Sequence, residues 1–96
     1  MTNNNYNKGS NFERAIVADL QMKGFFAIRS AGSHSPIDVI AIRKGEVWGV
    51  QAKLAGYVSR DDKTKLLNIM DKFGIKPMIA TKKRDGRMVY IDYEVL

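Results

Sequence analysis

Apolar residues in this chain of 96 recur with a helical period in two stretches and with a strand-like period in between and after. Phe12, Ile16, Val17 and Leu20 share one sector of a helix when ~100° is counted per residue, and Gly24 follows as a left-handed C-terminal cap. This predicts a first helix over 10–23. A second stripe of Leu66, Leu67, Met70 and Phe73 predicts a helix over 60–73, opened by Ser59-Arg60-Asp61-Asp62 in the manner of a capping box and closed by Gly74. The remaining apolar runs, 25–29, 37–42, 47–54, 76–81 and 88–93, are short and rich in strand formers. Lys44-Gly45 reads as a hairpin turn, and 82–86 (KKRDG) as the turn joining the last two strands. The order is α-β-β-β-α-β-β. It predicts an α/β fold, a central mixed sheet of about five strands flanked by helices. The hairpin 37–54 must be antiparallel, and the passage through the second helix is long enough to return the chain in parallel. The length allows one domain, 1–96, with the polar, Asn-rich residues 1–9 read as a flexible N-terminal segment.

Polar residues interrupt this pattern in one place. With Lys44-Gly45 as the turn, Arg43 faces Glu46, Ile42 faces Val47 and Asp38 faces Gln51. Side chains alternate along a strand, so Asp38, Gln51 and Lys53 fall on one sheet face at the end of the hairpin away from the turn. On the first helix, Glu13 lies inside the apolar sector, where an unpartnered carboxylate is costly. Two roles are open to it. Ser10-Asn11-Phe12-Glu13 is itself a capping box, in which Glu13 would reach back to the Ser10 amide. Alternatively, Glu13, Asp38 and the Gln51 amide are hard oxygen ligands of the kind Mg²⁺ takes, with Lys53 placed to assist an attacking water or offset charge on a phosphodiester.

Composition narrows the choices. The chain has no cysteine and a single histidine, His34, so thiol chemistry, a disulfide framework and a multi-histidine metal site are excluded, and a metal would need oxygen ligands. A formal charge of +6, from 16 Lys and Arg against 10 Asp and Glu, favours a polyanionic partner, nucleic acid before membrane. No window is apolar enough to span a bilayer and the first residues lack the apolar run of a signal peptide, so a cytoplasmic location is expected, in a cell or in the host of a virus.

KGSNFER (8–14), GFFAIRSAGS (24–33), SPIDVIA (35–41) and VQAK (50–53) together resemble the archaeal-type Holliday junction resolvases of the PD-(D/E)XK nuclease superfamily. The resemblance implies a restriction-endonuclease-like fold and a Mg²⁺-dependent endodeoxyribonuclease, with Mn²⁺ as a substitute ion, that cuts two opposed strands of a four-way DNA junction as a homodimer. Glu13 and Asp38 would then bind the metal with Gln51, Lys53 would be the catalytic lysine, and Ser33 would lie near the scissile phosphate. Gln51 stands where the family pattern has a second acidic residue, which implies weakened metal affinity. Lys8, Arg14, Arg29, Ser30, Lys82, Lys83 and Arg84 are expected to contact DNA. Other readings are a nuclease of the same fold acting on other DNA structures, and a junction-binding protein whose catalysis is weakened.

Overall fold

A computed structural model describes residues 4–30, 36–54 and 58–96, with the side chains of the first helix described from Gly9 onward. The elements are α1 (Asn4–Met22), β1 (Phe26–Arg29), β2 (Val39–Arg43), β3 (Glu46–Lys53), α2 (Arg60–Phe73), β4 (Lys76–Asp85) and β5 (Met88–Val95). The five strands form one sheet in chain order. Every neighbouring pair is antiparallel except β3 and β4, which are parallel and joined through α2. This is the α/β architecture with a mixed five-stranded sheet that the pattern predicts.

Each helix covers one face. Phe12, Ile16 and Leu20 of α1, spaced by four, are buried against Ala27, Val39, Ala41, Val50, Met78 and Ala80 from four strands. Leu66 and Met70 of α2 form the second cluster, with Ile40 and Ile79 packed against it from the other face of the sheet. Gly49 on β3 permits this approach: a Cβ there would collide with the Met70 side chain and stand 3.1 Å from Ile75 Cγ2. Gly24, at φ 90°, carries the turn out of α1 and into β1, with the Phe25 amide bonded to the Leu20 carbonyl at 3.0 Å. Ser59 caps α2 by accepting a hydrogen bond from the Asp62 amide at 3.1 Å, worth about 1 kcal/mol.

Four expectations change. The first helix begins at Asn4, not Ser10, so the expected flexible segment is helical from residue 4 on. The α2 stripe is only half buried, since Leu67 and Phe73 point outward, with Phe73 65% exposed. Residues 82–85 belong to β4 rather than to a turn, because β5 continues to pair with them down to Asp85 opposite Met88. The final hairpin is therefore a long two-stranded arm. Finally, Ser10 lies well inside α1, where an N-cap has no unpaired helix amides to serve, so the capping-box role for Glu13 fails.

Candidate active site

The β2–β3 register is the one the Lys44-Gly45 turn imposes, Arg43 opposite Glu46 through Val39 opposite Val50. Asp38 is the next residue outward. Its amide donates to the Val50 carbonyl at 2.8 Å and its carbonyl accepts from the Ser30 amide at 2.8 Å, so its backbone is held by β3 and the end of β1 together. The following bond across to β3 is made by a side chain. Asp38 Oδ2 accepts from the Ala52 amide at 2.9 Å, which turns the carboxylate toward the space between the strand ends. Burial pushes the Asp38 carboxyl above its ordinary pKa. The Ala52 hydrogen bond opposes that shift, while the charge of Glu13 adds to it and that of Lys53 subtracts. Glu13, Asp38 and Lys53 are thus one electrostatic cluster, although Glu13 comes from a helix and the others from strands.

Glu13 finds its partner in Arg29. The guanidinium Nε donates to Glu13 Oε1 at 3.2 Å, and Nη2 donates to Ser10 Oγ at 3.0 Å. Ser10 is buried on the same helix face one turn earlier. This arrangement answers how a carboxylate is tolerated within the apolar stripe, and it ties Arg29, expected to hold phosphate, to a carboxylate and a hydroxyl. The signal for Ser10 was its i, i+3 spacing to Glu13. A capping box and a helical face share that spacing, so the pattern alone could not separate them.

Gln51 is 7% exposed, and its Oε1 has no hydrogen-bond partner among the described residues. An orphaned buried amide oxygen is uncommon, because leaving one unpaired costs about 1–3 kcal/mol. It lies one residue from the Ala52 amide that holds Asp38 and two from Lys53. Glu13, Asp38 and Gln51 together offer oxygens of the hard kind that suit a divalent cation, and the Gln51 acceptor is unused. Among the described residues no group of three or more His, Cys, Asp and Glu lies together, so the two carboxylates have no third acidic neighbour there.

The basic residues divide. Arg14 is exposed on α1 and, among the described residues, is bonded to Asn11 Oδ1 at 3.4 Å. On the arm, Lys83 is 3.2 Å from Asp92 and 3.9 Å from Glu94, while Lys82 and Arg84 on the other face have no ion pair among the described residues. Lys82 and Leu54 line an open groove of about 650 Å³ between α1 and β5. Ser30 is half-buried beside Asp38. The Lys8 side chain, Ser33 and His34 lie outside the described residues.

Residues 4–96 match the model of the archaeal Holliday junction resolvase (Hjc) family. The crossover junction endodeoxyribonuclease Hjc of Methanocaldococcus jannaschii is 42% identical over 91 residues, covering 91% of this chain and 67% of that protein. The structure of Archaeoglobus fulgidus Hjc, a Holliday junction resolvase, superposes with a TM-score of 0.76 at 26% identity, over 91% of this chain and 76% of the other. With a match across nearly its whole length, this chain belongs to the archaeal Holliday junction resolvase family.

Proposed function

We infer that this chain is an endodeoxyribonuclease that resolves four-way DNA junctions by hydrolysing one phosphodiester in each of two opposed strands, using Mg²⁺ or Mn²⁺ and acting as a homodimer. The observation that carries the reading is the Asp38 carboxylate fixed across the strand ends by the Ala52 amide, beside the orphaned Gln51 Oε1 and the ammonium of Lys53. Glu13, Asp38 and Gln51 would hold the cation, which when bound supplies Lewis acidity to the scissile phosphodiester. Lys53 offsets the charge that builds on the phosphate and orients the attacking water. Ser33 belongs near the same phosphate.

Around this centre, Lys8, Arg14, Ser30, Lys82 and Arg84 position the duplex arms through phosphates, which carry no sequence information, as recognition of a branched shape requires. Arg29 acts mainly through Glu13. Lys83, compensated by Asp92 and Glu94, contributes less than its neighbours in sequence. Paired cuts need two equivalent centres, and twofold symmetry between identical subunits supplies them.

The test is incubation of an immobile four-way junction, linear duplex and single strand with Mg²⁺, with Mn²⁺ and with EDTA, alongside Asp38→Ala. Symmetric, metal-dependent nicking of the junction alone, lost in Asp38→Ala, is the expected result. Equal cutting of linear duplex would replace the junction by another DNA substrate. Tight junction binding with no cleavage in either metal would make the chain a binding protein.

A further inference from the structure

The cluster at the end of the β2–β3 hairpin is electrically balanced before any ligand arrives. Glu13 and Asp38 contribute two negative charges, Arg29 and Lys53 two positive ones, and Gln51 brings an oxygen without a charge. Glu13 is moreover already engaged, with Oε1 bonded to the Arg29 guanidinium, and Arg29 is braced from behind by Ser10. A dication leaving water for such a place meets no net field drawing it in. Mg²⁺ in particular loses water reluctantly and is commonly held by one or two carboxylates together with phosphate oxygens.

We propose that Gln51, together with the Arg29 clamp on Glu13, makes this centre take up its divalent cation jointly with DNA, the scissile phosphate supplying the anionic oxygen that the protein withholds. The proposal rests on the reading of the cluster as a metal-dependent nuclease site. It makes the free protein a poor metal binder and the protein–junction complex a good one, and linkage requires the effect to be reciprocal: the cation strengthens junction binding by the factor by which the junction strengthens cation binding. A site of this kind is assembled only where a phosphate is correctly seated, so off-target phosphodiesters that touch the protein loosely do not meet a loaded centre.

The experiment is a Mn²⁺ titration of the full chain, read by the loss of the free-ion electron paramagnetic resonance signal. It is run without DNA, with a four-way junction carrying a methylphosphonate at the mapped cut positions, and with one carrying a charged phosphorothioate there. Asp38→Ala with the same junctions gives the background uptake by DNA. The expected result is at least a tenfold gain in Mn²⁺ affinity with the phosphorothioate junction and little gain with the uncharged methylphosphonate. Gln51→Glu is expected to bind Mn²⁺ at least tenfold more tightly without DNA and to lose most of the gain from the junction. Equal wild-type affinity with and without the phosphorothioate junction would overturn the proposal, as would an equal gain from both junctions. Neither outcome depends on a variant folding. No uptake above the Asp38→Ala background in any state would remove the metal reading of the cluster along with the proposal.

Discussion

Asp38 is the residue on which the chemistry and the stability of this protein pull in opposite directions. In an unfolded chain its carboxyl ionises near 3.8, whereas in the fold burial raises that value. Below 3.8 both states hold the proton and the side chain has no effect on the balance. As pH climbs through the raised value the fold must accommodate a charge it disfavours, and stability is lost. Asp38→Asn keeps an oxygen for the Ala52 amide and removes the charge. Thermal melts without metal should therefore show the variant more stable than wild type at pH 7 and no different at pH 3, with the gap opening as pH rises between them. A constant gap across that range would mean that burial of the charge is not its cause.

At the scale of single elements, the arm formed by β4 and β5 separates charges that are adjacent in sequence. Lys82 and Arg84 point to one face and Lys83 to the other, where Asp92 and Glu94 meet it. Removing Lys82 or Arg84 should weaken junction binding and flatten the plot of log affinity against log salt by about one unit of slope each, while Lys83→Ala leaves the slope unchanged. Binding isotherms at several salt concentrations, without divalent ions, check this. On β3, Gly49→Ala should cost about 1–3 kcal/mol in urea unfolding, because the added methyl displaces Met70 and with it the contact that seats α2. Much of this was legible in the chain. Alternation around Lys44-Gly45 fixes the register that brings Asp38, Gln51 and Lys53 together, and the Ser59 and Gly74 punctuation fixes both ends of α2. The start of α1 was not legible, since the Asn-rich lead lacks apolar periodicity and Ser10 imitates a cap. Nor was the Arg29–Glu13 pair, which joins residues sixteen apart on two elements and depends on how a helix lies across a sheet. The arm escaped notice because KKRDG has the composition of a turn and is held in strand form by its partner across the ladder.

For the whole molecule, 96 residues leave a small surface for a branched substrate, and several large apolar side chains remain outside the two cores, Phe73, Met88 and Val95 among them. Scattered singly such residues are ordinary, and together they are compatible with a second copy covering some of them. Sedimentation should give a species of twice 10.8 kDa, and a plasmid with an extruded cruciform should pass to linear product without nicked circles accumulating. Accumulation of nicked circles ahead of linear product would point to independent cuts. The described helices include none long and apolar enough to cross a membrane.

The order of strands in the sheet, identical to their order in the chain, also governs how the protein reaches its shape. Three of the four strand pairings close through adjacent segments, and only the parallel β3–β4 pairing must wait for α2 to form and dock. Pairings of low sequence separation close early and the crossover closes late. Asp38, Gln51 and Lys53 are therefore set in place by a local hairpin, and Glu13 joins them only when α1 packs across it. Substitutions in the β2–β3 turn should slow refolding, whereas Met70→Ala should chiefly speed unfolding in stopped-flow chevrons.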